Sequence, residues 1–247
     1  LRSYLAACGA DWGFPAKDVL LARLQPRGGP DRGRLFYQEL VAQVRALPGV
    51  RHAGLGLWTP ADDRRGARSY HVSVPGSGAP ADGARAAIQA NLIDPGYLPA
   101  VGIAVLKGRN FSEEIGPYDS RKVIVNEAFA ARFWPGQDPV GRFVQLADTD
   151  DERAGPETAQ VVGLVRDIRK PGLREASDPY LYLPLEQAAF SDEMTLLVET
   201  RGDPHLLADP VRDLIQRLDR GMPVSPMTTL SDEMQNPLRH QIGRAHV

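Results

Sequence analysis

A strand–helix–strand grammar is written twice in this sequence, once near each end, and it constrains the fold more than any other feature. Near the start, Val19–Leu24 (VLLARL) is a short apolar strand candidate and Pro26–Pro30 a Gly/Pro turn. Asp31 can cap a helix running to about Leu47, whose apolar positions Phe36, Leu40, Val41, Val44 and Leu47 share one face. Pro48-Gly49 ends that helix, and Val50–Leu57 is the next strand. Near the other end, Met194–Thr200 (MTLLVET) is a strand and Gly202-Asp203-Pro204 a turn, with Asp203 as cap and proline at the first helical position. The following helix reaches about Leu218, with Leu207, Val211, Leu214, Ile215 and Leu218 on one face. Gly221 and Pro223 break it, and Val224–Thr228 is expected as a final strand. Two such units folding together predict an α+β class: a split βαβ/βαβ, ferredoxin-like layer with helices on one sheet face.

The section between them is strand-rich. Tyr70–Val74 and Arg85–Ile93 read as strands around the Gly/Pro-rich loop Pro75–Gly83, and Ala104–Leu106 is short and apolar. Lys122–Val125 is a strand, Asn126 can cap a helix over Glu127–Trp134, and Pro135-Gly136 stops it. Arg142–Leu146, Gln160–Val165 and Tyr180–Leu183 complete the strands, with acidic Asp148–Glu152 as a joining loop. This middle section is expected to be a β-rich insertion with one short helix. The expected division is therefore 14–84 with 189–235 for the outer α/β part and 85–188 for the insertion.

The bulk numbers exclude several functions. A total of 29 basic residues is scattered among 31 acidic ones, for a net charge of −2, so no nucleic-acid partner is expected. No stretch approaches the roughly 18 consecutive apolar residues of a membrane-spanning helix. The single cysteine, Cys8, excludes a disulfide framework and a multi-cysteine metal site. Leu5-Ala6-Ala7-Cys8 has the look of a lipoprotein signal end, but too short and polar a stretch precedes it. Cys8 reads as a small apolar residue. The last six residues, Ile242–Val247 (IGRAHV), continue no earlier pattern and match a translated sequencing adapter. They are expected to be a non-native tail.

No chemistry-bearing constellation emerges. A phosphate-cradling loop needs Gly-Lys before Ser or Thr, and none of Lys17, Lys107, Lys122 and Lys170 follows a glycine. The histidines His52, His71, His205, His240 and His246 are isolated rather than spaced to converge on one metal. A Gly-x-Ser-x-Gly nucleophile elbow is absent. Asp148, Asp150, Asp151 and Glu152 lack the glycine and terminal glutamate of a calcium loop, so a solvated loop is the better reading. Phe129 and Phe133, four apart, read as core packing rather than a cofactor box. No residue is assigned to catalysis, to cofactor binding or to a metal, and no enzyme activity or cofactor is expected.

An ordered set of motifs does carry a resemblance. Asn91-x-x-Asp94-Pro95-x-Tyr97-Leu98 is followed by Val101-Gly102-Ile103 and Leu106-x-Gly108-Arg109-x-Phe111. Then come Val123-Ile124-Val125-Asn126-Glu127, Ala131-Arg132-Phe133-Trp134-Pro135-Gly136 and Asp138-Pro139-Val140-Gly141-Arg142. Val162-Gly163-x-Val165-x-Asp167, Gly172-Leu173, Pro179-x-Leu181-Tyr182-Leu183-Pro184, Gln187 and Gly202-Asp203-Pro204 complete the series. In order and spacing this resembles the periplasmic core domain of MacB-type ABC transporter permeases, over roughly Phe14 to Thr229. Read physically, Gly102, Gly108 and Gly136 suit tight turns, and Arg109, Arg132 and Arg142 are expected to tie loops to carboxylates.

The resemblance implies an extracytoplasmic domain at the inner membrane, with a porter-like outer subdomain and an inserted β-rich one. Leu1-Arg2-Ser3-Tyr4 would follow a first membrane helix, and Asn236–Gln241 would precede a second. It also implies a cytoplasmic ABC ATPase subunit or domain, reached through those helices, and a second permease copy. A periplasmic adaptor or lipoprotein is the implied partner in the envelope. ATP-driven motion would pass through the domain to export or envelope substrates. The competing expectation is a periplasmic binding or regulatory module that recognises a lipoprotein or a cell-wall-enzyme partner. An enzyme built on an unrecognised carboxylate pair stands as a third.

Overall fold

The computed structural model describes residues 18–62, 68–74, 86–113, 120–149, 155–168, 177–187 and 193–235. The chain separates into two compact units, one made of 1–63, 96–102 and 190–247, the other of 64–95 and 103–189.

The first unit begins with β1 (Val19–Leu24), in which every residue except Arg23 is buried. Helix α1 (Pro30–Arg45) follows. Its N-cap is Gly29 without a side-chain cap, not Asp31 as expected, because Pro30 already occupies the first helical position and Asp31 sits inside the first turn. Phe36, Tyr37, Leu40, Val41 and Val44 form its buried stripe, and the Tyr37 hydroxyl donates to the Leu24 carbonyl at 2.8 Å. Strand β2 (Val50–Gly56) comes next, and β10 (Met194–Thr200), helix α4 (Ala208–Leu218) and β11 (Thr228–Thr229) supply the second half. Asp203 does cap this half, accepting from His205 N–H at 2.9 Å, although a 3-10 turn over Pro204–Leu207 intervenes before α4. The final strand is only two residues rather than Val224–Thr228, since Pro223 and Pro226 interrupt the ladder. A last helix, α5 (Leu230–Gln235), closes the described chain.

The strand order in this unit is β11-β1-β10-β2, with β1 antiparallel to both β10 and β11, and β10 antiparallel to β2. Strands β1 and β2 therefore run parallel with β10 between them, and β10 and β11 run parallel with β1 between them. Helices α1 and α4 connect those pairs and pack on each other. A short helix the sequence did not signal, α2 (Tyr97–Val101), packs on β2 and β10. Its docking needs two glycines: a Cβ on Gly56 would lie 2.4 Å from the Tyr97 ring, and one on Gly96 would lie 2.1 Å from the Ala53 carbonyl oxygen.

The second unit holds β3 (Ser69–Ser73), β4 (Ala86–Ile93), β5 (Val105–Gly108), β6 (Lys122–Asn126), β7 (Phe143–Asp148), β8 (Glu157–Val165) and β9 (Tyr180–Pro184). Six of them run in the order β4-β3-β7-β8-β6-β9, and β9 pairs in parallel with β4, closing the sheet on itself. Strand β5 lies outside this ring on β8. Strand β3 belongs to this unit and hydrogen-bonds to β4 and β7. Alternation fills the ring: Tyr70, Val72, Ile88, Ala90, Leu92, Val144 and Leu146 are buried, while Ser73, Ala87, Phe143 and Gln145 face out. Strands β6 and β9 are buried on both faces, and helix α3 (Glu127–Phe133) packs on β6, β8 and β9. Asp148, expected in a loop, ends β7, and 150–154 lie outside the described residues.

Candidate functional site

Among the described residues, those that sequence reasoning tested for chemistry form no shared cluster. His52 and His205 are exposed in the first unit, His71 lies on β3 in the second, and Cys8, His240 and His246 lie outside the described residues. Among the described residues no group of three or more His, Cys, Asp or Glu could hold a metal ion. His52 lies 3.9 Å from Glu199, which also pairs with Arg51 at 3.1 Å, at the exposed start of β2. Of the acidic run, only Asp148 is described, and Arg68 stands 3.9 Å from it.

The segment Val123–Arg142 instead builds a clamp in the second unit. Asn126 ends β6 and caps α3, its side-chain oxygen accepting Phe129 N–H at 3.0 Å. The same oxygen accepts Tyr180 N–H at 2.8 Å, and the Asn126 amide donates to the Asp178 carbonyl at 2.9 Å. Asn126 is 4% exposed, and the two bonds to its oxygen are made away from water, while the amide bond to Asp178 is part-buried. At the other end of β6, Gln187 does the matching work. Its side-chain oxygen accepts Lys122 N–H at 3.0 Å, and its amide donates to the Ser120 carbonyl at 3.3 Å. Two carboxamides thus fasten both ends of β6 to the β9 segment.

Asp167 completes the α3 N-terminus. Its carboxylate accepts Ala128 N–H at 3.1 Å while its own N–H donates to Glu127 at 3.0 Å. Burial is the largest influence on Asp167 and raises its pKa, helped by the Glu127 charge, despite the hydrogen bond from Ala128. The expected arginine–carboxylate ties are not formed among the described residues. Arg142 donates to the Asp138 carbonyl and the Gln137 side chain, both at 2.7 Å, and stacks over Trp134. Arg132 lies over Phe133, and Arg109 reaches the Asn110 carbonyl. The Pro-Gly stop leaves carbonyls and ring faces, rather than carboxylates, within reach of Arg142. Asp138 pairs with Lys107 at 3.2 Å, and the Val140 N–H and Lys107 lower its pKa.

The first unit carries a charge cluster that sequence reasoning missed. Arg23, in the otherwise apolar β1, forks onto Glu233 at 2.6 and 3.1 Å and reaches Asp62 at 2.9 Å. The Glu233 side chain is 4% exposed, Asp62 14% and Arg23 31%. Thr228 donates its hydroxyl to Glu233 at 2.8 Å. Asp62 is held by its own turn, accepting Thr59 N–H at 2.7 Å. Burial works against the Arg23 charge, but the hydrogen bonds and charges of Glu233 and Asp62 outweigh it and raise the guanidinium pKa. The one available signal was an arginine inside VLLARL.

Comparison with known proteins follows the fold. The family described as MacB-like periplasmic core domain matches residues 14–217. The periplasmic region of MacB from Actinobacillus actinomycetemcomitans superposes with a TM-score of 0.57 at 11% identity, covering 98% of this chain and 100% of that one. A domain of a permease protein from Porphyromonas gingivalis gives 0.50 at 15% identity, covering 87% of this chain and 92% of that one. No curated protein sequence matches the chain.

Proposed function

Because the chain belongs to the MacB-like periplasmic core domain family, we propose that it transmits ATP-driven motion between the cytoplasmic ATPase of an ABC-type permease and substrates or partners in the envelope. The observation that carries this reading is the family match over 14–217, which spans both compact units. The domain sits on the extracytoplasmic side of the inner membrane, and membrane helices outside this sequence connect it to the ATPase and pair it with a second permease copy. No described helix is long and apolar enough to cross a membrane.

The internal organisation supports a mechanical role. The first unit reads as the porter-like, split βαβ/βαβ part. The order β11-β1-β10-β2, with α1 and α4 as crossovers, is what a ferredoxin-like layer requires. The second unit reads as the inserted β-rich part, a closed ring fastened by Asn126 and Gln187. The buried core of each unit suits a part that moves without changing its own shape. An adaptor or lipoprotein is the envelope partner of this reading.

A spin label at exposed Phe143 in the full-length permease, reconstituted with its ATPase, tests the transmission. The inter-copy distance distribution is expected to differ between the nucleotide-free and vanadate-trapped states. Identical distributions would contradict it.

A further inference from the structure

Arg23 stands where three stretches of the first unit meet. Strand β1 carries it, and the chain up to residue 17 leads into that strand. Asp62 is the last described residue before the chain leaves the unit at Asp63. Glu233 belongs to α5, the last described helix. One guanidinium therefore joins the first described strand of the unit, the turn before the chain leaves it at Asp63, and its last described helix. A half-buried arginine is a costly way to fill a position in an otherwise buried strand, since an apolar side chain of similar volume can be as stabilising. Its particular use is geometric, because a planar fork can hold two carboxylates in fixed directions at once.

The two carboxylates share a donor. Nη2 serves both Asp62 and Glu233, while Nη1 serves Glu233. Each carboxylate is also held by its own segment, Asp62 by the Thr59 turn and Glu233 by Thr228. Displacing α5 must therefore change how Arg23 holds Asp62, and the reverse follows by reciprocity of coupling.

We propose that Arg23 is a coupling residue, through which movement of α5 alters the order of the Thr59–Asp62 turn where the chain passes out of the first unit. Its purpose rests on the transmission reading above, but the coupling is a property of this chain alone.

Hydrogen exchange followed by mass spectrometry on the chain itself tests it, with Glu233→Gln, Asp62→Asn, Arg23→Lys and Arg23→Met. Glu233→Gln is expected to speed exchange in 58–62 as well as in 228–235. Asp62→Asn is expected to speed exchange in 228–235 as well as in its own turn, each cross-effect being about fivefold or more. Arg23→Lys keeps the charge without the fork and is expected to raise exchange in both segments together. Amides of Leu196–Val198 in β10 serve as the reference: a uniform rise there marks global loosening by Arg23→Met, and the two carboxylate variants then decide. Effects confined to each variant's own segment would overturn the proposal. A cross-effect without extracytoplasmic exposure of the domain would keep the coupling and remove its transport purpose. The opposite pair of results would keep the transport reading and remove the role of Arg23.

Discussion

The Asn126 side-chain oxygen accepts the backbone N–H of Tyr180 at 2.8 Å, joining two segments 54 residues apart through one atom that also caps a helix. A cap substitution costs about 1 kcal/mol, and an orphaned buried N–H costs about 1–3 kcal/mol more. Asn126→Ala is therefore expected to destabilise the chain by about 2–4 kcal/mol in urea unfolding. Asn126→Ser keeps a capping oxygen but is too short to reach both Tyr180 and Asp178, so it should fall between. A serine variant as stable as the parent would mean that the cap, not the link to β9, carries the effect.

Asp167 makes the stability depend on pH in a specific direction. Its folded pKa is raised, so the folded state binds its proton more tightly than the unfolded state does. The stabilisation tied to that proton is fully present below the unfolded value of about 3.9 and is lost as pH rises through the higher folded value. Asp167→Asn keeps an oxygen for Ala128 N–H and removes the buried charge. It should raise the melting temperature at pH 7, with the gain shrinking to nothing as pH falls below the ordinary aspartate range. A melting temperature that drops at pH 7 would show that the charge is net favourable at the α3 N-terminus.

Two glycines separate close packing from backbone strain. A Cβ on Gly163 would lie 2.4 Å from the Arg109 carbonyl oxygen, whereas one on Gly136 meets nothing within 4 Å although φ there is +71°. Gly163→Ala forces β5 away from β8 and should cost about 1–3 kcal/mol or more. Gly136→Ala should cost only the left-handed backbone penalty of about 1 kcal/mol. Urea midpoints in the reverse order would contradict the close β5–β8 approach.

The extent to which the sequence foretold this follows from the range of each signal. Strand β1 and the β6–α3 segment were legible because a short apolar run, an Asn cap and a Pro-Gly stop are all local. Helix α2 was not, since five residues with Pro99 inside and Gly96 as an unassisted cap leave no periodic trace. Closure of the second unit depends on β4 pairing in parallel with β9, nearly a hundred residues away, and no local pattern encodes that contact. The pairing of β3 with β4 and β7 is likewise a contact between strands that no local pattern encodes. Arg23 looked like one polar residue in an apolar strand, and its partners lie 39 and 210 positions away. The tail Ile242–Val247 lies outside the described residues.

The central claim is that this domain faces the outside of the inner membrane, and cysteine accessibility measures that directly. Phe143, 53% exposed on β7, is replaced by cysteine in a full-length protein whose native cysteines, Cys8 among them, are changed to serine, in cells with intact inner membranes. A maleimide that crosses the outer membrane but not the inner one is predicted to label Phe143→Cys without permeabilisation. Labelling that appears only after the inner membrane is broken would place the domain in the cytoplasm and contradict the account.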